Sequence, residues 1–80
     1  METNMKKLEI LKQAFDARKD EIAGYQINID NYALAIPLAE ADTDLVDFAE
    51  QLRSLLASEK LEQKKAMVML SVLEMQIGSS

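Results

Sequence analysis

The strongest constraint in this chain is a spacing. Leu8, Leu11, Phe15, Arg18, Ile22, Tyr25, Ile29, Tyr32 and Ile36 follow one another at alternating steps of three and four. Eight of these nine positions are apolar or aromatic. A strand would need alternation at every second residue. A three-four rhythm held this long is the seam of an α-helix that packs on another helix. Thr3 or Asn4 can cap its start by accepting a hydrogen bond from an orphan N–H. Pro37 is the expected stop, because the residue before a proline is pushed out of helical geometry.

A second seam follows the break. Leu45, Phe48, Leu52, Leu56, Glu59, Gln63, Ala66, Leu70, Leu73 and Ile77 repeat at helical spacing. Asp42 or Thr43 can cap this helix, and Asp44 and Asp47 stand in its first turn, where the helix dipole favours negative charge. Gly78 suits the position just past its end. The expected fold is all-α, an antiparallel two-helix hairpin that dimerises into a four-helix bundle. The hairpin domain spans residues 1–77, with a helix over about 4–36, a loop over 37–43, a helix over about 44–77, and a tail at 78–80. A short third helix over 37–42, with Pro37 at its first position, is the alternative to the loop.

With the turn centred near residue 40, Ile36 should face Leu45, Tyr32 should face Phe48 and Ile29 should face Leu52. In that register Arg18, the polar break in the first seam, falls beside Glu59, Glu62 and Gln63, the polar break in the second. A shared polar layer of this kind pins helix alignment, since a buried charge is tolerated only when paired. The other reading is a carboxylate–arginine site, although no nucleophile or histidine accompanies Arg18.

Apolar residues exceed one stripe per helix. Ile10, Ala14, Ile27 and Leu34 lie off the first seam, and Val46, Leu55, Leu61, Met67, Val68, Met69, Val72 and Met75 lie off the second. Residues 66–77 are apolar nearly all round. A helix of that kind is buried on more than one side. The expected outcome is a homodimer, with Met67, Val68, Met69, Val72 and Met75 as the association surface. Gly24 inside the first helix either permits a close helix approach or is a weak point.

Charge and composition narrow the function classes. The 80 residues include no cysteine and no histidine, so thiolate chemistry, disulfides and the commonest metal ligand and general base are absent. No Glu-x-x-His pair or glycine-rich phosphate loop occurs. Asp42 to Asp47 echoes the start of a calcium loop, but its sixth position is Asp47 rather than glycine and its twelfth is Arg53 rather than glutamate. No catalytic residue, metal ligand or cofactor is expected. The net charge is −5 and the isoelectric point is about 4.6. That balance is a poor match to phosphate backbones. Lys12, Lys19, Lys60 and Lys64 are the residues an RNA-binding hairpin dimer would use. No apolar run is long enough for a transmembrane helix, and Met1 to Lys7 is not followed by a signal-peptide core. The expected setting is the cytoplasm.

All nine Lys and Arg fall in residues 6–19 and 53–65, while residues 30–50 hold six acids and no base. Within that window Glu40, Asp42, Asp44 and Asp47 form an acidic tip, suited to a basic protein partner.

Tyr25-Gln-Ile-Asn-Ile-Asp-Asn-Tyr32, within a short acidic helical chain, resembles what small uncharacterised tailed-bacteriophage proteins carry. The resemblance implies a setting in which small helical proteins act as accessory or inhibitory factors for host machinery. It carries over no site residue. In shape the chain is also similar to the helical-hairpin dimers that regulate plasmid copy number by binding RNA, from which its acidic balance departs. A third reading is a subunit that completes its bundle with a different chain.

Overall fold

The computed structural model describes residues 2–79, with side chains from Lys6 onward. Helix α1 spans Glu2–Glu40, a single 3-10 turn spans Thr43–Leu45, and helix α2 spans Val46–Ser79. The two helices lie antiparallel in a rod of 65 × 14 × 13 Å. The first seam is as the spacing predicts: every one of its nine positions is buried or half-buried. Of the residues between them only Ala14 and Ala35 are half-buried and the rest face solvent, as a 3.6-residue period requires.

Three boundaries differ from the sequence reading. α1 runs through Pro37 to Glu40. The proline forfeits one backbone donor and crowds the preceding turn. The extension offsets this by carrying Ala39 into the seam, where it packs with Ala49 and Leu52 beside Tyr32, Ala35 and Ile36. Tertiary burial thus overrides the local stop signal. At the other ends, α1 already includes Thr3 and Asn4, whose side chains lie outside the described residues, and α2 runs through Gly78, which therefore is not past its end.

The connection is tight. Ala41 N–H donates to the Pro37 carbonyl at 3.2 Å and Asp42 N–H to the Ala39 carbonyl at 3.1 Å, closing α1. Asp42 is extended, with φ −112° and ψ 118°, and its carboxylate accepts from the Asp44 N–H at 2.9 Å. That is the N-cap role expected of Asp42, performed on the 3-10 turn that leads into α2.

The longer first helix moves the register by one heptad. Leu52 packs with Ile36 and Tyr32, rather than with Ile29. Further along, Gln63 reaches the Ile22 carbonyl and Gln26, and Glu59 accepts from Asn28. The second seam also starts differently: it enters at Ala49, one residue after Phe48, and Leu45, 38% exposed, lies outside it. Ala49 is 2% exposed, while Phe48 is 45% exposed. The strict three-four sequence of α2 is therefore Ala49, Leu52, Leu56, Glu59, Gln63, Ala66, Leu70, Leu73 and Ile77, every one buried or half-buried.

The resulting core is thin. Its buried members are Leu11, Ile29, Ala39, Ala49, Leu52 and Ala66. Half of these are alanines, which bring the helix axes close but remove little apolar area from water. No buried polar side-chain atom lacks a hydrogen bond among the described residues.

Candidate association surface

In heptad letters the seams take positions a and d, so e and g mark the two edges of each helix. In an antiparallel pair like edges meet, and the hairpin gains two flat faces. Cross-helix contacts identify both. Arg53 donates to Glu40 at 3.1 Å across the e edges. Tyr25 lies with Glu21, Glu62 and Glu59 on the g side.

The two faces differ in chemistry. The e face carries Lys12, Lys19, Gln26, Ala33 and Glu40 from α1 and Val46, Arg53, Lys60, Met67 and Glu74 from α2, all exposed. It is a mixed-charge, solvated surface. Lys19 there also leans over the Phe15 ring, its Nζ 5.5 Å from the centroid. The g face carries apolar residues on either side of its middle, with Lys7 and Gln76 beyond them at the open end. Ala14 and Ala35 of α1 are half-buried in it, and Phe48, Leu55 and Met69 of α2 stand open to solvent. Ile10, Leu38 and Val72 border it, with Leu38 76% exposed.

The middle of the g face is polar. Arg18 donates to Glu21 at 3.0 Å and Lys65 to Glu62 at 3.1 Å, each within its own helix. Half-burial raises the Tyr25 phenol above its ordinary pKa, and the carboxylates of Glu21, Glu62 and Glu59 push it further the same way. The expected layer of Arg18 with Glu59, Glu62 and Gln63 is thereby corrected. Glu59 and Gln63 meet Asn28, Ile22 and Gln26 instead, because the one-heptad shift carries Arg18 toward the open end.

The remaining sequence-derived residues fall into two groups. Glu40, Asp42, Asp44 and Asp47 all lie exposed at the hairpin tip. Two of them have structural employment: Glu40 pairs with Arg53, and Asp42 caps the turn. Met67, Val68, Met69, Val72 and Met75 are all exposed at the open end. They do not form one stripe. At 100° per residue Val68, Val72 and Met75 lie on the outer side of α2, Met69 on its g edge and Met67 on its e edge. Sequence reasoning missed Leu38 and Phe48, which were assigned to the loop and the seam. The usable signal was the step size: Phe48 to Leu52 to Leu56 repeats a step of four, whereas Ala49 keeps the alternation.

Gly24 has open space around it, with no atom within 4 Å of an added Cβ, so it does not serve a close approach within the hairpin. Among the described residues no group of three or more acidic side chains could hold a metal ion, and no helix is long and apolar enough to cross a membrane. Comparison with protein-family models, curated proteins and solved structures finds no match to this chain.

Proposed function

We propose that this protein is a non-enzymatic assembly module that acts through protein–protein contacts, and that its first partner is a second copy of itself, giving a four-helix bundle. The observation that carries this reading is the g face, where Phe48, Leu55 and Met69 stay open to solvent beside half-buried Ala14 and Ala35. Full burial of one such large side chain is worth roughly 1.5–3 kcal/mol. A domain's net stability is only about 5–15 kcal/mol. A thin hairpin core therefore gains on a significant scale from covering this face. A role as a phage accessory or host-factor-binding protein is compatible with such a module, with the exposed acids of the tip suited to a basic partner.

The RNA-binding reading is weaker. Lys12, Lys19 and Lys60 do share the e face, but Glu40 and Glu74 stand on it too, and the whole chain carries −5. Phosphate affinity rests on clustered positive charge.

Light scattering on a size-exclusion column, over a concentration series, tests the proposal. The expected result is a mass of twice 9.0 kDa. A mass of one chain at every concentration would overturn it. Phe48→Ser with Leu55→Ser should return the dimer to a helical monomer, while Lys19→Ser with Lys60→Ser on the e face should leave it a dimer.

A further inference from the structure

We infer that the second copy docks antiparallel on the g face, each acidic tip lying beside the open end of the other hairpin. This inference rests on the self-association proposed above and adds the face, the orientation and the contacts. Two independent observations support it. The first is the charge distribution. The acids of residues 30–50, without a single base, sit in the tip half of the rod, and all five bases of the N-terminal window sit toward the open end. A parallel copy would superpose two such acidic tips. An antiparallel copy sets each tip against an end that holds Lys6, Lys7 and Lys12, where acids and bases balance. Relief of the repulsion between two acidic tips selects orientation more than it adds affinity.

The second observation is the order of side chains along the face. An antiparallel copy related by a transverse two-fold axis lays α1 on α1 and α2 on α2, running in opposite directions. About the middle of the rod this sets Ala14 against Ala35 of the partner subunit and Leu55 against Met69 of the partner subunit. Small meets small on α1 and large meets large on α2 at these positions, while Phe48 falls against Gln76 of the partner subunit. Glu21 falls against Asn28 of the partner subunit, an acceptor opposite a donor. Glu62 approaches its own symmetry mate, and its charge is already offset by Lys65 within the chain at 3.1 Å.

The absence of native cysteine makes a distance measurement direct. Thr43→Cys, in the exposed turn, takes one spin label per chain, and pulsed electron–electron resonance reads the separation within the dimer. The antiparallel arrangement predicts a separation approaching the rod length of 65 Å. A separation of roughly 20–30 Å, two helix diameters plus the labels, would show tips side by side and overturn the orientation while leaving self-association intact. A monomeric mass with no dipolar signal would overturn both. Gly78→Cys, at the other end of the rod, must also give a long separation, of roughly 50 Å at 1.5 Å per residue on either side of the two-fold axis. Leu55→Cys mixed with Met69→Cys should then form a disulfide heterodimer under mild oxidation, and preferential cross-linking of Thr43→Cys to itself would count against the inference.

Discussion

Replacing Leu52 by alanine tests the tip packing that ends α1 and sets the register. Leu52 is 4% exposed and belongs to the cluster formed by Ala39 and Ala49, with Tyr32 and Ile36 against it. The substitution deletes three carbon atoms. At about 0.8 kcal/mol per buried methylene, the transfer contribution alone is about 2.4 kcal/mol. Deletions of this kind reach about 2–5 kcal/mol because the walls collapse only in part. Two of the neighbours here are alanines in rigid helices, which cannot move inward, so the expected loss is about 2.5–4 kcal/mol. For a chain of this size each kcal/mol lowers the melting temperature by about 4–8 °C. Urea and thermal unfolding followed by far-ultraviolet circular dichroism, at one fixed protein concentration, reads both quantities. Fixed concentration matters because self-association links stability to mass action. Leu34→Ala is the control: Leu34 is 71% exposed, and its replacement should stay within about 0.5 kcal/mol of the parent. A Leu52→Ala loss no larger than that of the control would refute the packing argument and the register built on it.

Other perturbations follow from the same geometry. Pro37→Ala restores a backbone donor inside α1 and should stabilise the hairpin by about 1–3 kcal/mol, read as a higher urea midpoint; a lower midpoint would mean that the proline shapes the tip. Gly24→Ala should stabilise by up to about 1 kcal/mol, since the helix gains propensity and the added Cβ meets open space. The Tyr25 phenol has a folded-state pKa above its unfolded value near 10.0. Its neutral form therefore supports the fold at lower pH, and that support is lost as pH rises through the raised value. Tyr25→Phe should show a smaller alkaline fall in urea midpoint than the parent, and it should remove a late-titrating phenolate absorbance from the native protein.

Much of the architecture is legible in the spacing of apolar residues. Nine positions from Leu8 to Ile36 demand a helix with one packing stripe, and all nine line the interface. The surplus apolar residues are equally visible: Ile10, Ile27, Leu34, Leu61, Val68 and Met75 lie off the seams by position and are exposed in the hairpin. These features are local, because helical periodicity alone decides which residues share a face. The candidate site was legible only as composition. Excess apolar surface can be counted from the chain, but its division between a g face, an outer side and an e edge depends on where the partner helix lies.

Tertiary structure alone decided the end of α1 and the register. A heptad pattern matches itself after a shift of seven residues, so Leu52 could meet Ile29 or Ile36 without disturbing either seam. The choice falls to the tip, where continuing the helix past Pro37 buries Ala39 against Ala49 and Leu52 and pairs Glu40 with Arg53. The same shift separates Arg18 from Glu59 and Gln63 and gives Arg18 a partner on its own helix. Periodicity fixes faces through short-range geometry; register is a global property, set by helix lengths and by the few contacts that close the turn.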